Sequence, residues 1–204
     1  ASGRAMAARL ARGLGGFSHP ASRHALLWDL TQAPQLRSRT HHIGNARRRR
    51  IVEEVLDRFA ADVLLRLQQQ RAQVIHNDVS RSNALVDSRG ERVVGIVDFG
   101  DLVHAPLVDD VAVTLPAVLL DAADPAAAAA AVLEGYQRVE ALREEERELL
   151  FDLVSARLAT AVAISAWRAD RHPENLAYIA EDDPLQWALL ERLPSPPLTR
   201  DQLR

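Results

Sequence analysis

The sequence predicts an α+β fold that is mostly α, a helical bundle that carries a small β-hairpin. Two observations predict it. Apolar residues recur at three- and four-residue steps over residues 51–67 and again after residue 107, which is typical of amphipathic helices. Between these segments, short apolar runs alternate with polar turns, which is typical of strands and hairpins.

Composition narrows the possible functions. The chain has 204 residues, of which 48% are hydrophobic, and a formal net charge of -3. This charge creates no strong field for nucleic acid or an anionic membrane, so neither partner is expected. Cysteine is absent, which excludes disulfides and thiolate metal sites. No apolar run is expected to act as a signal peptide or to span a bilayer, so a cytoplasmic protein is predicted.

The first third of the chain predicts two helices with a long loop between them. A helix over 1–12 should stop at the glycine cluster 13–16, and residues 17–45 have the proline and turn content of a loop. The next helix starts at the arginine run 47–50 and continues to about residue 69. The run is interpreted as the polar first turn of this helix, with an anion site as the alternative.

Three residues of the predicted loop have two interpretations. Trp28 is interpreted as a packing residue, with a substrate platform as the alternative. His41 and His42 are adjacent in a polar segment, whereas metal ligands on one helix face favour a four-residue spacing. They are therefore interpreted as a solvated pair.

The predicted β region lies between residues 74 and 97. Val74 and Ile75 lead into a polar loop, and residues 84–86 leave it. A turn over 87–90 then reverses the chain into a strand over 93–97. This arrangement should bring the two ends of the segment together.

The remainder of the chain is predicted to be helical. Pro116 should kink or interrupt an apolar helix, because proline lacks the N–H that the helix requires. Asp124 and Pro125 have the residue types of an N-cap and a first helical turn. Helices are expected over residues 107–120, 124–142, 144–170 and 183–193, and Pro194, Pro196 and Pro197 should end the last of them.

Four side chains have the types and order that phosphoryl transfer from a nucleotide requires: His76, Asp78, Asn83 and Asp98. The first three match H-x-D followed by four residues and Asn, and the fourth opens Asp-Phe-Gly. In that chemistry the first aspartate accepts or orients the proton of the attacking hydroxyl, while the asparagine and second aspartate hold magnesium. An ordinary polar loop is the alternative, but the flanking strands and hairpin favour phosphoryl transfer.

These segments, together with Asp110-Val111-Ala112, resemble the aminoglycoside phosphotransferase and choline kinase-like superfamily, small-molecule kinases with a protein-kinase-like fold. The stretch 26–30 is similar to members related to hydroxylysine or homoserine kinases. The resemblance implies that residues 1–204 form a single C-terminal lobe. This lobe would comprise a helical region over residues 1–70, a catalytic loop and hairpin over 74–101, and a terminal helical bundle over 107–193.

The resemblance also implies roles for the matching residues. Asp78 and His76 would be the catalytic residues, with Asp78 as the base and His76 as a buttress of the loop. A proton carrier is the alternative role for His76. Asn83 and Asp98 would be the magnesium ligands. The nucleotide side, which binds ATP or GTP, would comprise Ser80, Asn83 and Asp98. Asp101 and Asp110 would be loop-fixing or acceptor-side acids, with simple capping as the alternative. Trp167 and Arg168 would also be on the acceptor side, for which a core tryptophan and a surface arginine are the alternatives.

The chain departs from the family pattern in two ways. Asn77 stands where the family usually has glycine, but asparagine tolerates left-handed backbone better than other non-glycine residues. The sequence also contains no lysine, so the lysine that pairs with the nucleotide phosphates is not in this chain. The N-terminal lobe of the same protein is therefore the expected partner. Alone, the chain is expected to be inactive, and its open face could self-associate.

The acceptor is predicted to be a small molecule. Asp98-Phe99-Gly100 is followed within a few residues by Ala105-Pro106, which leaves no room for the activation segment of a protein kinase. Nearby acids would suit a cationic acceptor of the aminoglycoside or amino-alcohol type. The sequence therefore predicts a magnesium-dependent O-phosphotransferase. The alternative, motivated by the absence of lysine, is a non-catalytic kinase-like binding or scaffold module.

Overall fold

The computed structural model describes residues 5–120 and 122–193. The α-helices in these ranges are α1 Met6–Leu14, α2 Ala46–Arg58, α3 Leu64–Gln68, α4 Leu107–Leu119, α5 Pro125–Gln137, α6 Glu144–Arg171, α7 Leu176–Ile179 and α8 Asp183–Arg192. The strands are β1 Ala72–Ile75, β2 Ala84–Val86, β3 Val93–Ile96 and β4 Val103–Pro106. The predicted fold class, mostly α with small sheets, is therefore confirmed.

The segment between α1 and α2 is not a plain loop, and that prediction was wrong. Pro20–Arg23 and Leu30–His42 are 3₁₀-helices, and the second packs along α6. Its fully buried residues Leu30, Ala33 and Leu36 recur every three positions, which is the period of a 3₁₀-helix. The three-residue period is present in the sequence, but Pro34 and the surrounding polar residues made the segment resemble a loop.

The second predicted helix is present but not uniform. Asn45 caps it by accepting a hydrogen bond from the N–H of Arg48, and the arginine run forms its polar first turn, as predicted. A π-helical turn, Phe59–Val63, joins α2 to α3 and buries both Phe59 and Val63. The apolar stripe continues through this turn, so the extra residue per turn keeps both side chains on the core face.

Two short antiparallel sheets position the loop between them. The β2–β3 hairpin was predicted, with Gly90 left-handed at φ 70° in its turn. Strand β4 was not predicted, and it pairs with β1 so that Ile75 lies opposite Val103. The pairing explains the omission, because a four-residue strand that ends in proline has little sequence signal of its own.

Helices α4 and α6 form the centre of the core. The predicted interruption at Pro116 does not occur, since α4 continues to Leu119. Asp124 caps α5 through the N–H of Ala127, but α5 ends at Gln137 rather than near Leu142. Contrary to prediction, α6 is long and apolar enough to cross a membrane, but 89% of its apolar window is buried inside the protein, which makes it a core helix.

The structure describes only part of the elements that were predicted at the two ends of the chain. Helix α1 begins at Met6 and ends at Leu14, inside the glycine cluster that was expected to stop it. Helix α8 ends at Arg192, close to the predicted end at residue 193. Residues 1–4 of the first predicted helix and the terminating prolines at 194, 196 and 197 lie outside the described residues.

Candidate active site

The motif loop, residues 76–83, connects β1 to β2 and lies between the two sheets. It begins with His76 and Asn77, which are 0% and 1% exposed. Asn77 has a φ of 62°, the left-handed conformation that its residue type tolerates. The loop therefore turns sharply at its buried start and brings the next residue, Asp78, toward the surface.

His76 joins the motif loop to the segment that carries Asp98. Its Nδ1 accepts a hydrogen bond from the N–H of Asp78 at 3.3 Å, and its Nε2 lies 3.2 Å from the carbonyl of Val97. The two bonds require the tautomer that carries its proton on Nε2. The ring also meets Phe99 edge-on with centroids 4.9 Å apart. His76 thus holds the loop in place and has no free nitrogen for proton transfer.

Asp78 is oriented by Asn83. The Asn83 side-chain amide donates to Asp78 Oδ2 at 2.7 Å and to the Asp78 backbone carbonyl at 2.9 Å. The Asp78 side chain remains 31% exposed, whereas Asn83 is buried. The carboxylate is therefore fixed in direction, and one face of it is open to a ligand.

Asp98 is brought next to Asn83 by the backbone. The N–H of Val97 donates to the carbonyl of Asn83 at 2.9 Å, so the two residues lie on neighbouring chain segments. Asp98 is left-handed, with φ 64°, and its Oδ1 accepts a hydrogen bond from the N–H of Gly100. Its Oδ2 has no bond among the described residues. An amide oxygen and a carboxylate oxygen thus remain available on this side of the loop.

Asp110 supports the loop from below. It is fully buried on α4, and this burial raises the pKa of its carboxyl to about 7, while the backbone N–H groups of Asn77 and His76 favour the charged form. The neighbouring Asp109 is also buried, and its pKa is raised well above the usual value by burial and then by Asp29 and Asp110. Two buried acids therefore lie next to the site without a basic partner among the described residues.

Arg157 approaches the site from the middle of α6. Its Nη2 lies 3.9 Å from Asp78 Oδ1, and its guanidinium carbon lies 4.7 Å from the centre of the Trp28 ring. Asp101 is close enough that burial, and then Asp78, raise the pKa of its carboxyl, while Arg157 lowers it. The predicted acceptor-side residue Asp101 thus joins Asp78 and Arg157 in one charged group.

The other predicted site residues divide into two groups. Ser80 lies in the motif loop, with its hydroxyl 2.9 Å from that of Ser82, and both line a groove of about 450 Å³ that also contains Arg168. Trp167 is held elsewhere, under the guanidinium groups of Arg39 and Arg171. The structure therefore brings Arg168 to the outer side of the loop but does not bring Trp167 there.

Sequence reasoning missed Arg157 and gave Trp28 too small a role. Arg157 is the one charged residue between Asp152 and Arg168 on an otherwise apolar helix, and such a position signals a buried charge with a purpose. Trp28 is packed against the core as predicted, but it also supports Arg157. The expected solvated pair was also wrong in part, since His42 lies 2.9 Å from Asp170.

Comparison with known proteins assigns this chain to a family. The pattern of the phosphotransferase enzyme family matches residues 3–151, and the chain belongs to that family. It is 30% identical to hydroxylysine kinase of Mus musculus over 92% of the chain, and 29% identical to that of Bos taurus. The chain spans 53% of the length of both relatives.

Two solved structures share the fold. The microcompartment-associated aminopropanol kinase matches 99% of this chain and 62% of its own, with a TM-score of 0.66 and 20% identity. The amicoumacin kinase hAmiN, in complex with AMP-PNP, Ca²⁺ and Ami, matches the whole chain and 63% of its own, with a TM-score of 0.63 and 16% identity. At these identities the likeness establishes the fold.

Proposed function

We propose that this chain is the acceptor-binding and catalytic lobe of a magnesium-dependent phosphotransferase that moves the γ-phosphate of ATP or GTP to a hydroxyl of a small amine. The observation that carries the proposal is the pair formed by Asp78 and Asn83. A partly open carboxylate, held at 2.7 Å by a buried amide, is the arrangement that a positioned base requires.

Each residue of the loop then has a role in the reaction. Asp78 accepts the proton of the acceptor hydroxyl as the hydroxyl oxygen attacks the γ-phosphorus. The bond between this phosphorus and the bridging oxygen breaks, and the nucleoside diphosphate leaves with that oxygen. Asn83 keeps the carboxylate aimed at the hydroxyl. His76 holds the loop through the Asp78 N–H and the Val97 carbonyl. Catalysis rests on position, because phosphoryl transfer needs little covalent chemistry from the protein.

The oxygens of Asn83 and Asp98 fit magnesium. The Asn83 amide nitrogen is used by Asp78, which leaves its Oδ1 free, and Asp98 retains Oδ2. Hard oxygen donors of this kind suit a small divalent cation that also takes ligands from phosphate and water. The metal would neutralise phosphate charge.

The nucleotide would lie against the exposed side of the hairpin. Leu85, Val86, Val94, Val97 and Phe99 are between 39% and 59% exposed there, and we call these residues the hairpin face. Exposed apolar side chains close to Asn83 and Asp98 suit a purine base, because exposed apolar patches often mark binding sites. Because the chain contains no lysine, the phosphate-anchoring cation and the cover of this face would come from polypeptide outside these 204 residues.

The acceptor is proposed to carry an amine as well as a hydroxyl. Asp101 offers a half-buried carboxylate beside the base, where an ammonium group would be stabilised. Hydroxylysine kinase and aminopropanol kinase, to which the chain is similar, are both named for acceptors with these two groups. This inference concerns the acceptor class and not one compound.

The proposal is tested with the natural polypeptide that contains this chain. With Mg-ATP, it should transfer phosphate to hydroxylysine or aminopropanol, measured as acceptor-dependent ADP release and by phosphorus NMR of the product. Asp78→Ala should lower kcat about 10²- to 10⁴-fold, the usual contribution of a general base. The exposed Asp62→Ala should retain the wild-type rate. Full activity of the Asp78 variant would refute the base assignment.

The absence of lysine favours one second candidate, a non-catalytic kinase-like binding or scaffold module. An assay of ADP release by the natural polypeptide distinguishes the two candidates. A phosphotransferase would release ADP when its acceptor is added, whereas a binding or scaffold module would release none with any acceptor. Titration calorimetry of the 204-residue chain with Mg-ATP adds a further test. A lobe with half of a nucleotide site should give no measurable binding, so tight binding would contradict the proposed sharing of that site.

A further inference from the structure

Arg157 is a guanidinium without a hydrogen bond among the described residues. Its Nη1 is buried and lacks any acceptor there, and its side chain is only 13% exposed. Its one ion pair with a described residue, to Asp78 Oδ1, has a length of 3.9 Å, which is too long for a hydrogen bond. A buried arginine normally satisfies most of its five donors, so this one has unused capacity for an anion.

The guanidinium is nevertheless held in place. The ring of Trp28 lies 4.7 Å below it, and helix α6 carries its backbone through the core. Burial lowers the pKa of Arg157, while the charges of Asp78 and Asp101 offset some of that effect. A cation that is prepositioned and partly desolvated binds an anion more strongly than one in water does.

The two oxygens of Asp78 separate two sides of the site. Oδ2 accepts from Asn83, which adjoins Asp98 and the proposed metal and nucleotide. Oδ1 faces Arg157, on the side where Asp101 and Trp28 lie. Arg157 therefore belongs to the acceptor side of the base, and the anion it would bind is on the acceptor rather than on the nucleotide.

We propose that Arg157 binds a carboxylate of the acceptor, so that the acceptor is a hydroxylated amino acid. Its carboxylate pairs with the guanidinium above Trp28, an ammonium group pairs with Asp101, and the hydroxyl meets Asp78. The proposal rests on the proposed function and narrows its acceptor class. It separates two chemistries that the similar proteins leave open, since hydroxylysine carries a carboxylate and aminopropanol does not.

The test compares two acceptors that differ only in the carboxylate. Hydroxylysine and hydroxycadaverine, its decarboxylated analogue, are phosphorylated by the natural polypeptide, and kcat and KM are measured for each. A charge-assisted bond contributes about 10- to 100-fold, so wild type should favour hydroxylysine by that factor in kcat/KM. Arg157→Gln should remove the preference by raising KM for hydroxylysine. Its kcat/KM for hydroxycadaverine should change by less than about threefold. Arg157→Lys should restore some of the preference.

Arg48→Gln provides the matched control. Arg48 also stacks on a tryptophan, Trp187, at 4.8 Å, but its ion pair is with Glu191, away from the motif loop. Its substitution should leave the preference unchanged. An equal loss of kcat for both acceptors in Arg157→Gln would overturn the proposal, because it would assign Arg157 to the base or the phosphoryl group. A wild-type enzyme with no preference for hydroxylysine would overturn it as well.

A binding measurement separates this inference from the proposed function. Titration calorimetry of the natural polypeptide with hydroxylysine should show binding that Arg157→Gln weakens about 10- to 100-fold and Arg48→Gln retains. Such binding without phosphate transfer would support Arg157 as a carboxylate site and refute the phosphotransferase. If the polypeptide transferred phosphate but Arg157→Gln left hydroxylysine binding unchanged, the phosphotransferase would be supported and the carboxylate site at Arg157 refuted.

Discussion

Arg71 and Arg157 approach buried or partly buried acids, but their surroundings are opposite. The Arg71 guanidinium bonds both Glu146 oxygens at 2.7 and 3.1 Å, Glu140 at 2.8 Å and the carbonyl of Ala141 at 2.5 Å. Its hydrogen bond to Glu146 raises the pKa of Arg71, whereas burial lowers the pKa of Arg157. Arg157 has an ion pair at 3.9 Å and a stacked ring, and no hydrogen bond among the described residues.

The difference separates a residue that holds the fold from one that awaits a ligand. Arg71 joins the start of β1 to the N-terminal turn of α6, and every partner it needs is in this chain. Arg157 lies beside the partly open carboxylate of Asp78, and its buried Nη1 has no acceptor among the described residues. A satisfied buried charge stabilises structure, while an unsatisfied one at an open site indicates binding.

After Asp78→Ala, the largest effect is expected on the ligand-binding side, at Asp98. Asp98→Asn keeps an oxygen for the Gly100 N–H but removes the charge proposed to face magnesium. In the natural polypeptide, kcat should fall about 10²- to 10³-fold, and half-maximal activity should require more Mg²⁺. The measurement is a magnesium titration of the rate. Asp87→Asn, in the hairpin turn, should leave the titration unchanged, and an unaltered magnesium requirement in Asp98→Asn would contradict the ligand assignment.

The next effect tests the two arginines directly by unfolding. Arg71→Gln leaves the fully buried Glu146 without its charged partner and should lower the free energy of unfolding by about 3–5 kcal/mol. Arg157→Gln removes no hydrogen bond and should change it by less than about 1 kcal/mol. Urea denaturation of the chain measures both. The exposed pair of Arg66 with Glu148 provides a control, for which Arg66→Gln should cost under about 1 kcal/mol. Equal losses at Arg71 and Arg157 would remove the distinction.

Asp109 extends the comparison, because it is a buried acid that forms an ion pair with neither Arg71 nor Arg157. Its folded pKa lies well above the unfolded value, so the folded state holds the proton more tightly and stability falls as pH rises above about 4. Asp109→Asn should therefore unfold like wild type near pH 4 and become more stable than wild type as the pH rises to 8. Urea titrations at both values test this. Asp62→Asn, on the surface, should show no such divergence, and a pH-independent effect at Asp109 would disprove the burial argument.

The smallest effect is expected on the hairpin face. Val94 is 59% exposed, so Val94→Thr should change the free energy of unfolding by under about 0.5 kcal/mol and reduce any self-association of the chain. Sedimentation velocity and urea denaturation give the two readings. The buried Val154→Thr is the counterpart, and it should cost about 1–3 kcal/mol because a hydroxyl enters the core. A large loss at Val94 would mean that the hairpin face is packed rather than open.

The elements that could be predicted are those whose signal is local. The apolar period of α6, the cap at Asp124 and the turn at Gly90 each depend on a few neighbouring residues. Strand β4 and the 3₁₀-helix Leu30–His42 were missed, because β4 exists only through its pairing with β1 and the 3₁₀-helix packs along α6. Their stability comes from contacts that are distant in the sequence.

The candidate site divides in the same way. The sequence by itself determined the motif residues His76, Asp78, Asn83 and Asp98, because residue type and spacing along one loop and hairpin are sufficient to identify them. Only the tertiary structure decided that Arg157 and Trp28 belong beside Asp78, since the three residues come from separate regions of the chain. Packing of α6 against residues 30–42 and the core brings them together, and no local pattern encodes that distance.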